Sequence, residues 1–326
     1  MLYRSAPGPT LARFRRPTAA RPTRLAVVAD PHVTPWATGT WQVFHRTEQR
    51  LATAVADIDR ANVDAAVVLG DLTKDGRPVA FDRVDELLAD CDTPVLAVPG
   101  DRDVPKAADG HRTPPVEVFA ERYADGTYPF VERVGGVDLV GIDTATAPDG
   151  RLADGHGGAV SASQLDWLAA ILPGLSNPVL VCHHTVSHAA TRVAGLPAAH
   201  DYRVANADEL AAVLADGGVD LVLSGHAHWP AAASLSGLRE VLAPATCSLP
   251  QAFLLVEIDA TGTTVSLRPL ADRAGFEEAY AHARNGDGRG QRLADCVDDG
   301  YLHRLPLVDE GPNASADRGD PLRSEH

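Results

Sequence analysis

Apolar positions in this chain follow two alternating rhythms. "RLAVVAD" (24–30), "DAAVVLGD" (64–71) and "TPVLAVPGD" (93–101) are short unbroken apolar runs that end in Asp. Between them, "RTEQRLATAVADIDRA" (46–61) sets Leu51, Val55 and Ile58 on one helical face, and "AFDRVDELLAD" (80–90) repeats that spacing. Continuous apolar runs joined by amphipathic helices mark parallel strands covered on both faces. The pattern predicts a βαβαβ unit over 24–101. A helix over "VEVFAERYA" and two short strands near "YPFVERV" and "VDLVGID" follow.

Past residue 143 a long loop rich in Gly, Asp and Ala runs to 160. It precedes the helix "SASQLDWLAAIL", the strand "PVLVCHH" (178–184), the helix "ADELAAVLADGG" and the strand "VDLVLSGHAH". From "REVLAPATCSLP" through "FLLVEIDATGTTVSLRPL" the rhythm is that of antiparallel hairpins. A parallel core with a second set of strands predicts an α/β fold built as a two-sheet sandwich flanked by helices. The expected organisation is a flexible Arg-rich arm at 1–23, a catalytic domain at 24–270, a partly helical extension at 271–310 and a disordered tail at 311–326.

Composition narrows this picture. With 326 residues, 45% of them hydrophobic, the chain can bury one large core. A net charge of −15 argues against a nucleic-acid polymer as partner. Cys91, Cys182, Cys247 and Cys296 form no CxxC pair, so the expected setting is the reducing cytoplasm. No apolar run approaches the ~20 residues needed to span a bilayer, and no membrane partner is expected. The first 24 residues hold six arginines and no acid, the basis for reading them as an arm. Oligomeric state is open, a homodimer included.

Five expected strands end in metal-ligand side chains: Asp30 and His32 in "ADPH", Asp71 in "LGDL", Asp101 in "PGDRD", His183 and His184 in "VCHHT", and His226 and His228 in "SGHAH". Each motif alone has a commonplace reading, since Asp after a strand often caps a helix and paired His at a strand end often pack. Five at strand ends are a different matter, because open α/β sheets build their sites there. Carboxylates with imidazoles suit Mn, Fe, Zn, Co or Ni.

The ordered series D-x-H, G-D, G-D-x-D, H and G-H-x-H, from about Arg24 to about Asp259, resembles the calcineurin-like metallophosphoesterase superfamily. Its cyclic-nucleotide and glycerophosphodiester phosphodiesterase branch looks nearest. The resemblance implies a ββ sandwich flanked by helices, a dinuclear metal centre at one edge and a small phosphate-ester substrate attacked by a metal-bridged hydroxide. By motif, Asp30, His32 and His228 would bind the first of two metal ions, Asp101, His183 and His226 the second, with Asp71 bridging. His184 would face substrate instead of ligating. The family's third motif usually reads G-N-H-D, and this chain has Gly100-Asp101-Arg102-Asp103.

Asp101 can still ligate and adds a negative charge, which Arg102 balances. Arg102 can clamp a phosphoryl oxygen, but with a pKa above ~12 it cannot be a general acid. Proton delivery would then fall to His184, His188 or His111, or the substrate must carry a good leaving group. Arg102, Asp103 and His184 are the expected catalytic residues, and a plain Arg102–Asp103 pair in a degenerate site is the competing reading. The alternative function is a catalytically weak metal- or nucleotide-binding protein of the same fold. A metallo-β-lactamase type of hydrolase is disfavoured, because no H-x-H-x-D-H run occurs. Specificity is expected in the loops 31–45, 105–115, 143–159 and 188–203, with Trp41 in the core and Trp229 on the pocket wall.

Overall fold

The computed structural model describes residues 2–4, 8–149, 151–152, 155–197, 202–235 and 237–311. The expected βαβαβ unit forms β2 (Thr23–Val28), α1 (Thr47–Ala61), β3 (Ala65–Val68), α2 (Pro78–Leu88) and β4 (Val95–Ala97), after an earlier strand β1 (Thr10–Phe14). β2, β3 and β4 are parallel, in the registers Leu25↔Ala65 and Ala66↔Val95. Then come α3 (Val116–Tyr123), β5 (Phe130–Val134), β6 (Val137–Gly141), α4 (Ala162–Ile171), β7 (Pro178–Cys182), α5 (Ala207–Asp216) and β8 (Leu221–Ser224). The chain continues with β9 (Ala231–Leu235), β10 (Leu238–Leu242), β11 (Ala252–Asp259), β12 (Gly262–Pro269), α6 (Arg273–Arg284), α7 (Gly288–Asp298) and β13 (Val308–Asp309).

The strands form two sheets, ordered β13-β1-β12-β11-β2-β3-β4 and β5-β6-β7-β8-β10-β9. Side-chain alternation builds the layers. Leu25, Val27 and Val67 from one sheet meet Leu139, Val181 and Leu223 from the other in the central core. The opposite faces carry Ala26, Val28 and Val68 against Leu51, Ile58 and Phe81 of α1 and α2, and Val140, Leu180 and Val222 against Leu168 and Leu210 of α4 and α5. This is the expected helix-flanked two-sheet sandwich. Among the described residues, no helix is long and apolar enough to cross a membrane.

Three expectations are corrected. The arm at 1–23 contains β1, which pairs antiparallel with β12 and buries Leu11, Ala12 and Phe14. Its arginines meet acids of the C-terminal segment: Arg13 lies 3.3 Å from Asp309, and Arg15 Nε donates to the Glu310 carbonyl at 2.8 Å. The stretch after 238 is only partly a set of antiparallel hairpins. β10 runs parallel to β8 and antiparallel to β9, an alanine-rich strand with no apolar rhythm of its own. Finally, residues 271–310 are partly helical but continuous with the core, to which they contribute Phe276, Leu293 and Tyr301. The tail expectation falls on 312–326, outside the described residues.

Candidate metal centre

The adjacent strands β2, β3 and β4 of one sheet end in Asp30/His32, Asp71 and Asp101. The adjacent strands β7 and β8 of the other end in His183 and His226/His228. The loops approach so closely that side chains are excluded between them. A Cβ on Gly70 would lie 2.6 Å from Gly100 N, and one on Gly100 would lie 2.1 Å from Asp71 N. Five of the seven candidate ligands take left-handed backbone: Asp30 (φ 50°), His32 (45°), Asp71 (52°), His226 (60°) and His228 (60°). Asp and His tolerate that region better than most residues, yet strain of this kind concentrates at functional sites.

These turns bring the seven side chains into one cage, all nearly fully buried. In one half, His228 Nε2 lies 3.4 Å from Asp30 Oδ1 and 3.2 Å from His32 Nε2. In the other, Asp101 Oδ1 lies 3.2 Å from His183 Nε2 and 3.1 Å from His226 Nδ1. Asp71 sits between them, with Oδ2 3.3 Å from His32 Nε2 and Oδ1 3.6 Å from His183 Nε2. The structure thus brings together the residues that the sequence grouped into each set, with Asp71 between the two groups.

The donor chemistry fits metal ions. His183 Nδ1 donates to the Leu69 carbonyl at 2.7 Å, and His228 Nδ1 contacts Ser248 Oγ at 2.9 Å. The Leu69 carbonyl holds a proton on His183 Nδ1, so that Nε2 is the nitrogen that offers a lone pair when a cation replaces its proton, while Ser248 orients the His228 ring. Asp30 Oδ1 is buried with no hydrogen-bond partner among the described residues. Such a cage attracts positive charge. Burial would depress His183, but Asp71, Asp101 and Asp30 outweigh it and push its pKa up to about 10. Burial raises Asp30 to about 7 against the pull of His183. Burial also holds His32 and His228 well below the usual imidazole value and lowers His226 to about 4, favouring the neutral form that ligates. Cys247 Sγ stands 3.8 Å from His228 Nδ1, close enough to His32 and His228 to group with them, and burial pushes its thiol pKa up.

The remaining expected site residues are placed differently. Asp103 does not pair with Arg102. Its carboxylate accepts from Leu72 N (3.0 Å), Thr73 N (3.0 Å), Thr73 Oγ1 (3.1 Å) and Gly100 N (3.1 Å), tying the Asp71 loop to the Asp101 loop. Arg102 turns the other way: its Nε lies 3.4 Å from Asp101 Oδ2, and its side chain is 40% exposed on the cavity wall. His184 is buried behind the cage. Its Nδ1 contacts Thr144 Oγ1 and its Nε2 the His156 carbonyl, both at 2.9 Å, while one ring nitrogen also lies within 4.8 Å of ligand atoms of Asp101, His183 and His226.

A cavity of about 770 Å³ opens over the cage. His111, His184 and His188 do not line it; His156 does, with Nδ1 2.5 Å from Asp101 Oδ2. Trp41 also lines it from its place in the central core, as expected there, whereas Trp229 is fully buried against Tyr301 and not on the pocket wall. The left-handed turn at His228 sends the next residue into the core. The far wall comes from Arg289 at the start of α7, whose guanidinium lies over the Trp41 ring at 5.3 Å and the Tyr202 ring at 5.2 Å. His156 and Arg289 went unread because each is a single residue in a segment without apolar rhythm. The only sequence cue for His156 is its setting among glycines in "DGHGG".

Residues 23–230 match the family model described as Calcineurin-like phosphoesterase. A Rhodococcus erythropolis protein named "Probable cyclic nucleotide phosphodiesterase" is 30% identical over 57% of this chain and 58% of its own length. The chain thus spans less than two thirds of the curated relatives it matches. A dimetal phosphatase from Danio rerio superposes with a TM-score of 0.61 at 16% identity, over 77% of this chain and 97% of that one. A purple acid phosphatase from yellow lupin gives 0.54 at 11% identity, over 78% of this chain and 52% of that one. The two structural likenesses speak for the fold.

Proposed function

The chain belongs to the calcineurin-like phosphoesterase family, and from that premise we propose that it hydrolyses a small phosphate ester with the help of two metal ions. Asp30, His32 and His228 would hold one ion, Asp101, His183 and His226 the other, with Asp71 shared. The observation that carries this reading is the cage of buried carboxylates and imidazoles at the floor of an open cavity. When bound, the ions supply Lewis acidity toward phosphoryl oxygens and lower the pKa of water enough to give a nucleophile near neutrality. The chain's own residues do the rest. Arg102 reaches along the cavity wall, keeps its charge at every working pH and donates to a phosphoryl oxygen. The Leu69 carbonyl leaves His183 Nε2 as the ligating nitrogen, and Ser248 orients the His228 ring. Asp103 holds the Asp71 and Asp101 loops together, as a positioning residue in place of the catalytic role expected for it.

A diester fits the relatives' names, so cyclic nucleotides are the first substrates to try, beside aryl diesters and monoesters. Protein stripped with chelator should lose hydrolysis of an aryl phosphodiester, and added Mn²⁺ should restore it. Hydrolysis that survives metal removal would overturn the reading. A second reading, binding without turnover, is favoured by one observation: Arg102 stands where the family motif carries a histidine. Metal-loaded protein that binds inorganic phosphate in calorimetry but turns over no ester would establish that reading instead.

A further inference from the structure

We propose that Arg289 is a substrate-binding residue that grips a phosphoryl oxygen from the wall opposite Arg102, an inference that rests on the phosphoesterase reading above. Arg289 lies beyond the family match at 23–230, so this contact belongs to the C-terminal segment and not to the shared motifs. Its guanidinium lies over two aromatic rings, Trp41 at 5.3 Å and Tyr202 at 5.2 Å. One terminal nitrogen donates to the His226 carbonyl. That bond places the side chain beside the turn that carries His226 and His228, one ligand of each half of the cage, while Arg102 stands beside Asp101.

What remains is a donor without an acceptor. Arg289 lines the cavity; its Nε is sealed from solvent without a hydrogen-bond partner among the described residues, so the donor open to a ligand is the terminal nitrogen that does not bond the His226 carbonyl, and no described carboxylate lies within ion-pair distance of the side chain. The nearest candidate, Asp287, is already committed. Its Oδ1 takes the N–H groups of Arg289 and Gly290, at 3.0 and 3.1 Å, and its Oδ2 takes Trp41 Nε1, at 3.1 Å. That capping also removes the α7 N-terminus itself as an anion site. Buried guanidinium donors are normally satisfied. A planar fork held against two aromatic rings is pre-organised for an oxyanion, and the cavity beside it is where the ester must enter.

The test compares wild type, Arg289→Gln and Arg289→Lys, each reconstituted with Mn²⁺. It measures KM and kcat for an aryl phosphate, the inhibition constant of inorganic phosphate, and bound metal. In Arg289→Gln, KM and the phosphate inhibition constant should rise together by about tenfold or more, with kcat within a few-fold and both metal equivalents retained. Arg289→Lys, which keeps the charge but not the fork, should fall between, and it carries the comparison if Arg289→Gln does not fold. Unchanged phosphate affinity in the variants would overturn the proposal. So would loss of metal in parallel with activity, because Arg289 would then serve only to support His226. A wild type that hydrolyses no ester would overturn the phosphoesterase reading alone, since phosphate affinity measured by calorimetry would still decide the role of Arg289.

Discussion

Replacing Asp103 with alanine should destabilise the fold by about 3–5 kcal/mol. The side chain is fully buried, and both oxygens are used: Oδ1 by Thr73 N and Oγ1, Oδ2 by Leu72 N and Gly100 N. Alanine would orphan three backbone N–H groups, at ~1–3 kcal/mol each. Relief of the buried charge and entry of water into the vacated space offset part of that sum. The remainder is a large share of the ~5–15 kcal/mol that keeps a typical domain folded. Asp103→Asn should be nearly as harmful, because its amide NH₂ would face N–H donors where an acceptor is needed. Denaturant titration of chelated protein measures the loss without interference from metal binding, with unchanged slopes as the check on two-state behaviour. A loss below ~1 kcal/mol in Asp103→Ala would refute the claim that this carboxylate is the tie between the two loops.

Chelation should lower the thermal midpoint by on the order of 10 °C. Ions bound at a thousandfold excess over Kd add ~4 kcal/mol each, and scanning calorimetry with and without Mn²⁺ would contradict this if the midpoint stayed put. Asp101→Asn should weaken one ion selectively, since it removes a negative charge from the half with His183 and His226; metal analysis finding two equivalents at unchanged affinity would count against it. Arg102→Ala should slow aryl and alkyl esters alike, by about a hundredfold, and Arg102→His should flatten the dependence of rate on leaving-group pKa. A flat dependence in the native enzyme would show that another cavity group, His156 first among them, already delivers the proton.

The parallel core was legible because strands buried on both faces must be apolar throughout, and the helices between them carry one apolar stripe. The cage was legible for a related reason: its ligands sit at the ends of those strands, where position in sequence maps directly onto position in space. β1 was hidden because arginines alternate with its buried Leu11 and Phe14, and the acids that answer them, Asp309 and Glu310, lie almost three hundred residues on. Sequence adjacency misled twice. Trp229 follows a ligand and Asp103 follows Arg102, but a turn sends neighbouring side chains in opposite directions. Arg289 and His156 reach the cavity through tertiary packing, which leaves no local pattern to read.

The strand order also has a consequence for the timing of synthesis. β2 delivers Asp30 and His32, and its partner on one side, β3, emerges soon after it. Its other partner is β11, with Leu254 opposite Val27, so that edge waits while most of the chain is made. At ~5–20 residues per second the wait lasts on the order of ten seconds or more, and closing so long a loop adds its own entropic delay. During that interval Leu25 and Val27 lie on an open, apolar strand edge of the kind that pairs with foreign chains. A ribosome-bound intermediate stalled before residue 252 should therefore be the stage at which this protein most depends on chaperones, and slowing translation downstream of β4 should lower its soluble yield more than slowing it after β12.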